Sequence, residues 1–92
     1  MLVKVVFSAE LHELTNETRL VVDLPEGSTV IDLIKSLHKV NKEIPGLLLR
    51  NGNLNDNFII IVNGRDIQWL NGLNTRLHDG DDVLIAPKVF LA

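Results

Sequence analysis

The chain has 92 residues, 46% of them apolar, with twelve acids against nine bases and no cysteine. That suits one domain around a single core, and it excludes a disulfide framework, a thiolate metal site and a cysteine nucleophile. A net charge of −3 argues against a dedicated nucleic-acid binder, which carries a basic stripe, and no apolar run approaches the roughly 20 residues of a membrane span, so a cytoplasmic protein with neither nucleic acid nor membrane as partner is expected.

Residues 2–9, LVKVVFSA, are rich in β-branched side chains and read as a strand, with Val3, Val5 and Phe7 on one face and Lys4 and Ser8 on the other. The segment 10–17, ELHELTNE, turns the chain, Asn16 being a good turn residue. Residues 18–24, TRLVVDL, form a second strand, antiparallel to the first, with Leu20, Val22 and Leu24 on one side. PEGST stops it, and Ser28 or Thr29 caps a helix over VIDLIKSLHKVN. Val30, Leu33, Ile34 and Leu37 make its apolar stripe; Asp32 in the first turn and Lys42 in the last suit its dipole. Pro45-Gly46 is expected to end the element.

Residues 46–57 read as a polar loop around the plug Leu47–Leu49. FIIIV, 58–62, is apolar and short enough to be a buried central strand. Asn63-Gly64 is a hairpin signal that returns the chain through residues 65–67. The irregular stretch that follows offers Trp69, Leu70, Leu73 and Leu77 as core plugs, and VLIAPKV, 83–89, is the last strand, ended or edged by Pro87. One helix with one apolar stripe must pack across a sheet. The economical architecture is α+β: a β-grasp, as in ubiquitin, with a mixed sheet of about five strands gripping one main helix. The first and last strands lie side by side. Residues 1–92 form one domain, with an extended C-terminal tail at 87–92.

Chemistry is hard to find in this pattern. His12, His38 and His78 lack metal-ligand spacing, and Glu10-Leu11-His12-Glu13 reads as a surface turn. Asp79-Gly80-Asp81-Asp82 lacks the further ligands of a calcium loop and reads as a turn before a strand. Ser8, Ser28 and Ser36 have no nucleophile-elbow context, and no glycine-rich phosphate loop occurs. The acidic last third, with Asp56, Asp66, Asp79, Asp81 and Asp82, reads as a solvated face. No metal, no bound cofactor and no self-contained active site are expected, so function should lie in a surface or in an end. The sheet face opposite the helix is the candidate surface, through Val6, Val21, part of the Ile59 and Ile61 pair and either Ala86 or Ile85. Its partly apolar character suits a partner or a second copy of the chain. The candidate end is the tail, Pro87, Lys88, Val89, Phe90 and Leu91 leading to the carboxylate of Ala92.

KVVFSAELHELTN, LPEGSTVIDLI, VNGRDI and above all GLNTRLHDGDDVLIAPKV together resemble the ubiquitin-like sulfur carriers of the MoaD/ThiS type, especially the small subunit of molybdopterin synthase. The resemblance covers nearly the whole chain. It implies a role in molybdenum or tungsten cofactor biosynthesis. A ubiquitin-type activating enzyme would use ATP to adenylate the terminal carboxylate, here that of Ala92, which becomes a thiocarboxylate. The tail, Pro87 to Leu91, would then enter a large synthase subunit, making this chain at most a non-catalytic subunit of a synthase complex. Leu91 and Ala92 stand where the family has two glycines. The alternative reading is a non-carrier interaction module whose apolar tail docks on a partner or a second copy.

Overall fold

A computed structural model of the protein describes residues 1–8, 11, 15, 16 and 18–88. The expected turn at 10–17 therefore falls mostly outside the described residues. Within it Leu11 and Thr15 have helical backbone and are buried, and Asn16 takes the positive φ of 56° that a turn asparagine tolerates.

Strand β1 (Leu2–Phe7) pairs antiparallel with β2 (Arg19–Asp23) and parallel with β7 (Asp82–Pro87). β5 (Phe58–Val62) lies antiparallel on the other side of β7, followed by the two-residue β6 (Arg65–Asp66), so the sheet order is β2-β1-β7-β5-β6. FIIIV is thus not the central strand. The centre is β7, and β5 stands next to the edge with only Ile60 and Val62 fully covered. Its unbroken apolar run mimics a strand buried on both faces, whereas Ile59 and Ile61 project from the outer face.

Helix α1 (Val30–Ser36) packs Val30, Leu33 and Ile34 on the sheet. Thr29 caps it: its N–H and its hydroxyl both donate to Asp32 Oδ2, at 2.9 and 3.1 Å. Burial is complete for Val3, Val5, Ile60 and Ile85 facing it. The α-helix is shorter than expected. It tightens into a 3₁₀ turn at Leu37–Lys39, and Lys42 lies beyond it; Lys35 is the base in its last turn.

Pro45-Gly46 does not end this helix but belongs to a second one, α2 (Ile44–Leu48), where proline is tolerated because first-turn amides have no intrahelical acceptor. The supposed polar loop is this helix plus a small hairpin, β3 (Leu49–Arg50) and β4 (Asn53–Leu54). Asn51 and Gly52 turn it with φ of 54° and 81°, as Asn63 and Gly64 turn β5 into β6 with 51° and 84°. Of the leucine plug only Leu48 is fully buried; Leu47 is exposed. Leu77 is a core residue, with Leu70 and Leu73 packed against its margin, but Trp69 is 80% exposed. Its 3₁₀ turn, Ile67–Trp69, spends its inward position on Ile67. No helix among the described residues is long and apolar enough to cross a membrane.

Candidate functional site

The alternation of β7 builds the candidate surface. Val83 and Ile85 point into the core, so Leu84 and Ala86 emerge on the opposite face and are half-buried. Ile85 is thereby assigned to the core, and Ala86 to the surface. Pairing aligns Val6 of β1 and Ile61 of β5 on either side of Leu84, and Ile59 beside Ala86. The five side chains make one apolar strip across the three middle strands. Val21, 64% exposed, extends it onto β2 opposite Lys4. Leu84, at its centre, was missed by the sequence reading. The signal was present: in DVLIAP, once Val83 is inside, Leu84 must be outside.

Charges rim the strip. Lys4 Nζ lies 3.7 Å from Asp82 Oδ1, an exposed pair of small energetic weight. The neighbouring carboxylates are occupied by the backbone. Asp79 Oδ1 accepts from the Leu2 N–H at 2.7 Å, and Asp81 Oδ2 from the His78 N–H at 2.8 Å. The DGDD segment is therefore a turn that ties β1 to β7. Among the described residues no three His, Cys, Asp or Glu side chains converge to hold a metal. His38 and His78 are exposed, and His12 lies outside the described residues.

β7 delivers the chain to the rim of this surface. Pro87 is half-buried beside Phe58, and the Lys88 N–H donates to the Asn57 carbonyl at 2.7 Å. Asn57 is in turn held by Asn55, a buried side chain that accepts from the Asn57 N–H at 3.0 Å and donates to the Leu47 carbonyl at 3.1 Å. This asparagine clamp holds the backbone at Lys88, and the sequence reading passed it over as loop. Val6, Ala86, Pro87 and Lys88 thus gather at one end of the sheet. Val89, Phe90, Leu91 and Ala92 lie outside the described residues.

The geometry is that of a small grasp fold with an apolar outer face and a central strand feeding a tail. The model of the ThiS family matches residues 5–89. The chain belongs to the ThiS family. This ThiS-family chain is 29% identical, over 90% of each chain, to small archaeal modifier protein 3 of Haloferax volcanii, and 38% identical to a protein named as a sulfur carrier in Archaeoglobus fulgidus, over 70% of this chain and 74% of that one. Among solved structures it is similar to the Amycolatopsis orientalis BexX/CysO complex, with a TM-score of 0.85, 25% identity and coverage of 98% and 99%. It is also similar to a Pyrococcus furiosus protein described as subunit 1 of a molybdopterin converting factor, with a TM-score of 0.79, 28% identity and coverage of 97% and 99%. As a ThiS-family member it is a ubiquitin-like protein of the sulfur carrier and modifier class.

Proposed function

We propose that this chain is a sulfur carrier whose tail carboxylate, at Ala92, is the reacting group. A ubiquitin-type activating enzyme would join that carboxylate to the AMP of ATP, releasing pyrophosphate. Sulfide sulfur from a donor then displaces AMP and leaves a thiocarboxylate. The observation that carries the reading is the family match across residues 5–89, on a fold whose central strand feeds the tail beside an apolar face. Molybdenum or tungsten cofactor synthesis is the pathway that the likeness to the Pyrococcus protein favours. There a large synthase subunit would grip the strip around Leu84 and admit residues 87–92.

The physical logic assigns each part a task. The sheet face provides recognition without chemistry, through Val6, Leu84, Ala86, Ile59 and Ile61. Pro87 and Lys88, fixed by Asn57, aim the tail. The reactive carboxylate needs no internal base, since the activating enzyme supplies the chemistry. Leu91 and Ala92 impose a requirement on partners. Glycine fits channels closed to a Cβ, and forcing leucine to positive φ costs about 1–2 kcal/mol. A cognate enzyme must therefore accept leucine in an extended conformation.

Adenylation by a ubiquitin-type activating enzyme with ATP tests the reading. Pyrophosphate release should depend on the tail and stop when residues 89–92 are removed. Equal release with the truncated chain would refute it. The second reading, an interaction module anchored by Phe90 and Leu91, rests on the two residues in place of the family's glycines. It predicts that truncation weakens association with a partner or second copy while no adenylate forms.

A further inference from the structure

Among the described residues the sheet ends at β2, whose outer edge has no strand beside it. The Thr18 carbonyl accepts from the Phe7 N–H at 2.9 Å, and the Met1 carbonyl from the Leu24 N–H at 2.9 Å, so the even-numbered residues of this segment turn their backbone groups toward β1. The N–H and C=O groups of Arg19, Val21 and Asp23 therefore point away from the sheet, and among the described residues none of them has a hydrogen-bond partner. Edge strands are commonly blunted by proline, a bulge or lysine. RLVVD has none of these, and its register with β1 runs unbroken from Leu2–Asp23 to Val6–Arg19. The same three residues carry their side chains on the outer face, where exposed Val21 stands between an exposed cation and an exposed carboxylate.

We infer that this edge pairs with the same edge of a second copy of the chain, antiparallel about a two-fold axis at Val21. Hydrogen bonding and charge select the same occupant and the same register. In a ladder centred on Val21, residue 19 lies opposite 23 and residue 21 opposite its own copy. These are the residues whose backbone groups are free, so about six hydrogen bonds form. In that register Arg19 of each copy faces Asp23 of the other, and the two Val21 side chains meet between the charge pairs. A ladder centred on Leu20 or on Val22 sets Arg19 or Asp23 opposite Val21 and loses both pairs. Arg19 has no carboxylate at ion-pair distance among the described residues, and Asp23, 80% exposed, offers the Met1 ammonium only one oxygen, at 3.4 Å. Five paired residues a side fall short of the roughly 1,200 Å² of a standard interface, so the dimer is weak, with a Kd on the order of 0.1–1 mM. Pairing through β2 leaves Leu84, Ile59 and Ile61 uncovered and joins the two outer faces into one sheet. Since β7 runs parallel to β1 and the axis reverses the second copy, the two Lys88 residues stand at opposite ends. The dimer does not use the Ala92 carboxylate, so its failure leaves the carrier reading untouched.

Sedimentation equilibrium and nitrogen-15 spectra of the full chain test this between about 20 µM and 2 mM, a range that brackets the expected Kd. The weight-average mass should climb from one chain toward two, with concentration-dependent amide shifts centred on Arg19, Val21 and Asp23. Arg19→Asp and Asp23→Arg, both at exposed positions, should each weaken self-association about tenfold, because like charges then face each other across the axis. An equimolar mixture of the two variants should restore association, since each mixed pair sets two carboxylates of one chain against two guanidinium groups of the other. A chain that stays monomeric over the whole range, or shifts centred on Leu84 and Ile61, would overturn the inference. So would single variants that associate as the parent does, or a mixture that associates no better than its components.

Discussion

Adjacent residues of β7 face opposite environments, and truncating each to alanine measures how different those environments are. Ile85 is fully buried, between Phe7 and Ile60 in register. Ile85→Ala removes its transfer energy and leaves a cavity beneath α1, a loss of about 2–5 kcal/mol. Leu84 is half-buried between Val6 and Ile61 on the outer face. A fully buried leucine is worth about 1.5–3 kcal/mol, and solvent fills the gap that Leu84→Ala leaves, so the loss is about half of that or less. In a domain of this size 1 kcal/mol moves Tm by about 4–8 °C. Ile85→Ala should then lower Tm by roughly 8–40 °C, and Leu84→Ala by at most about 3–12 °C, with urea denaturation giving the same order. Equal losses would refute the assignment of Leu84 to a free face, and with it the outer strip as a recognition surface.

Leu84→Asp should leave the folded spectrum intact and weaken association with a ubiquitin-type activating enzyme by about tenfold, since a charge replaces the centre of the apolar strip; calorimetric titration measures it. Gly64→Ala places a Cβ at φ 84° and should cost about 1 kcal/mol in denaturant unfolding, although nothing crowds the site. The Thr29 hydrogen bonds, backbone first and hydroxyl second, hold the Asp32 carboxyl below its ordinary range. Its contribution to stability is therefore complete above the unfolded-state value and is lost as pH falls through the lower folded-state value; Asp32→Asn should flatten the acid limb of the stability–pH curve below about pH 4. Trp69→Ala, at an 80% exposed side chain, should change stability by no more than about 0.5 kcal/mol.

The alternation in LVKVVF and the helical stripe Val30, Leu33, Ile34, Leu37 carried the architecture, because burial on one face leaves a period that a reader can count. The capping threonine was legible for the same local reason. What failed was local chemistry overridden by context. Pro45-Gly46 reads as a stop, yet proline also fits the first turn of a helix, and only the burial of Ile44 and Leu48 decides between them. Asn51-Gly52 carries the same hairpin signal as Asn63-Gly64 but was hidden in a stretch rich in asparagine. FIIIV gave no period at all, so its one-sided burial and its place near the edge depend on partners far away in sequence. Trp69 was assigned inward on hydrophobicity alone, while Ile67 two residues earlier took the inward position. Of the candidate site, Val6 follows from alternation. Ala86 and Leu84 require the phase of β7, which the choice between Ile85 and Ala86 leaves open. The Asn55–Asn57 clamp was not legible, since hydrogen bonds from a buried asparagine to α2 and to the tail exit leave no periodic trace.

Sulfur carriage by this chain turns on the carboxylate at the end of the tail. The most direct measurement is the mass of the C-terminal peptide of the protein isolated from its own cells under conditions that preserve thioacids. Sulfur carriage predicts a fraction in which sulfur has replaced one oxygen at Ala92, and loss of that fraction when the activating enzyme is removed. A tail that is intact at Ala92 and wholly oxygen-bearing, with the activating enzyme present and sulfur supplied, would contradict it.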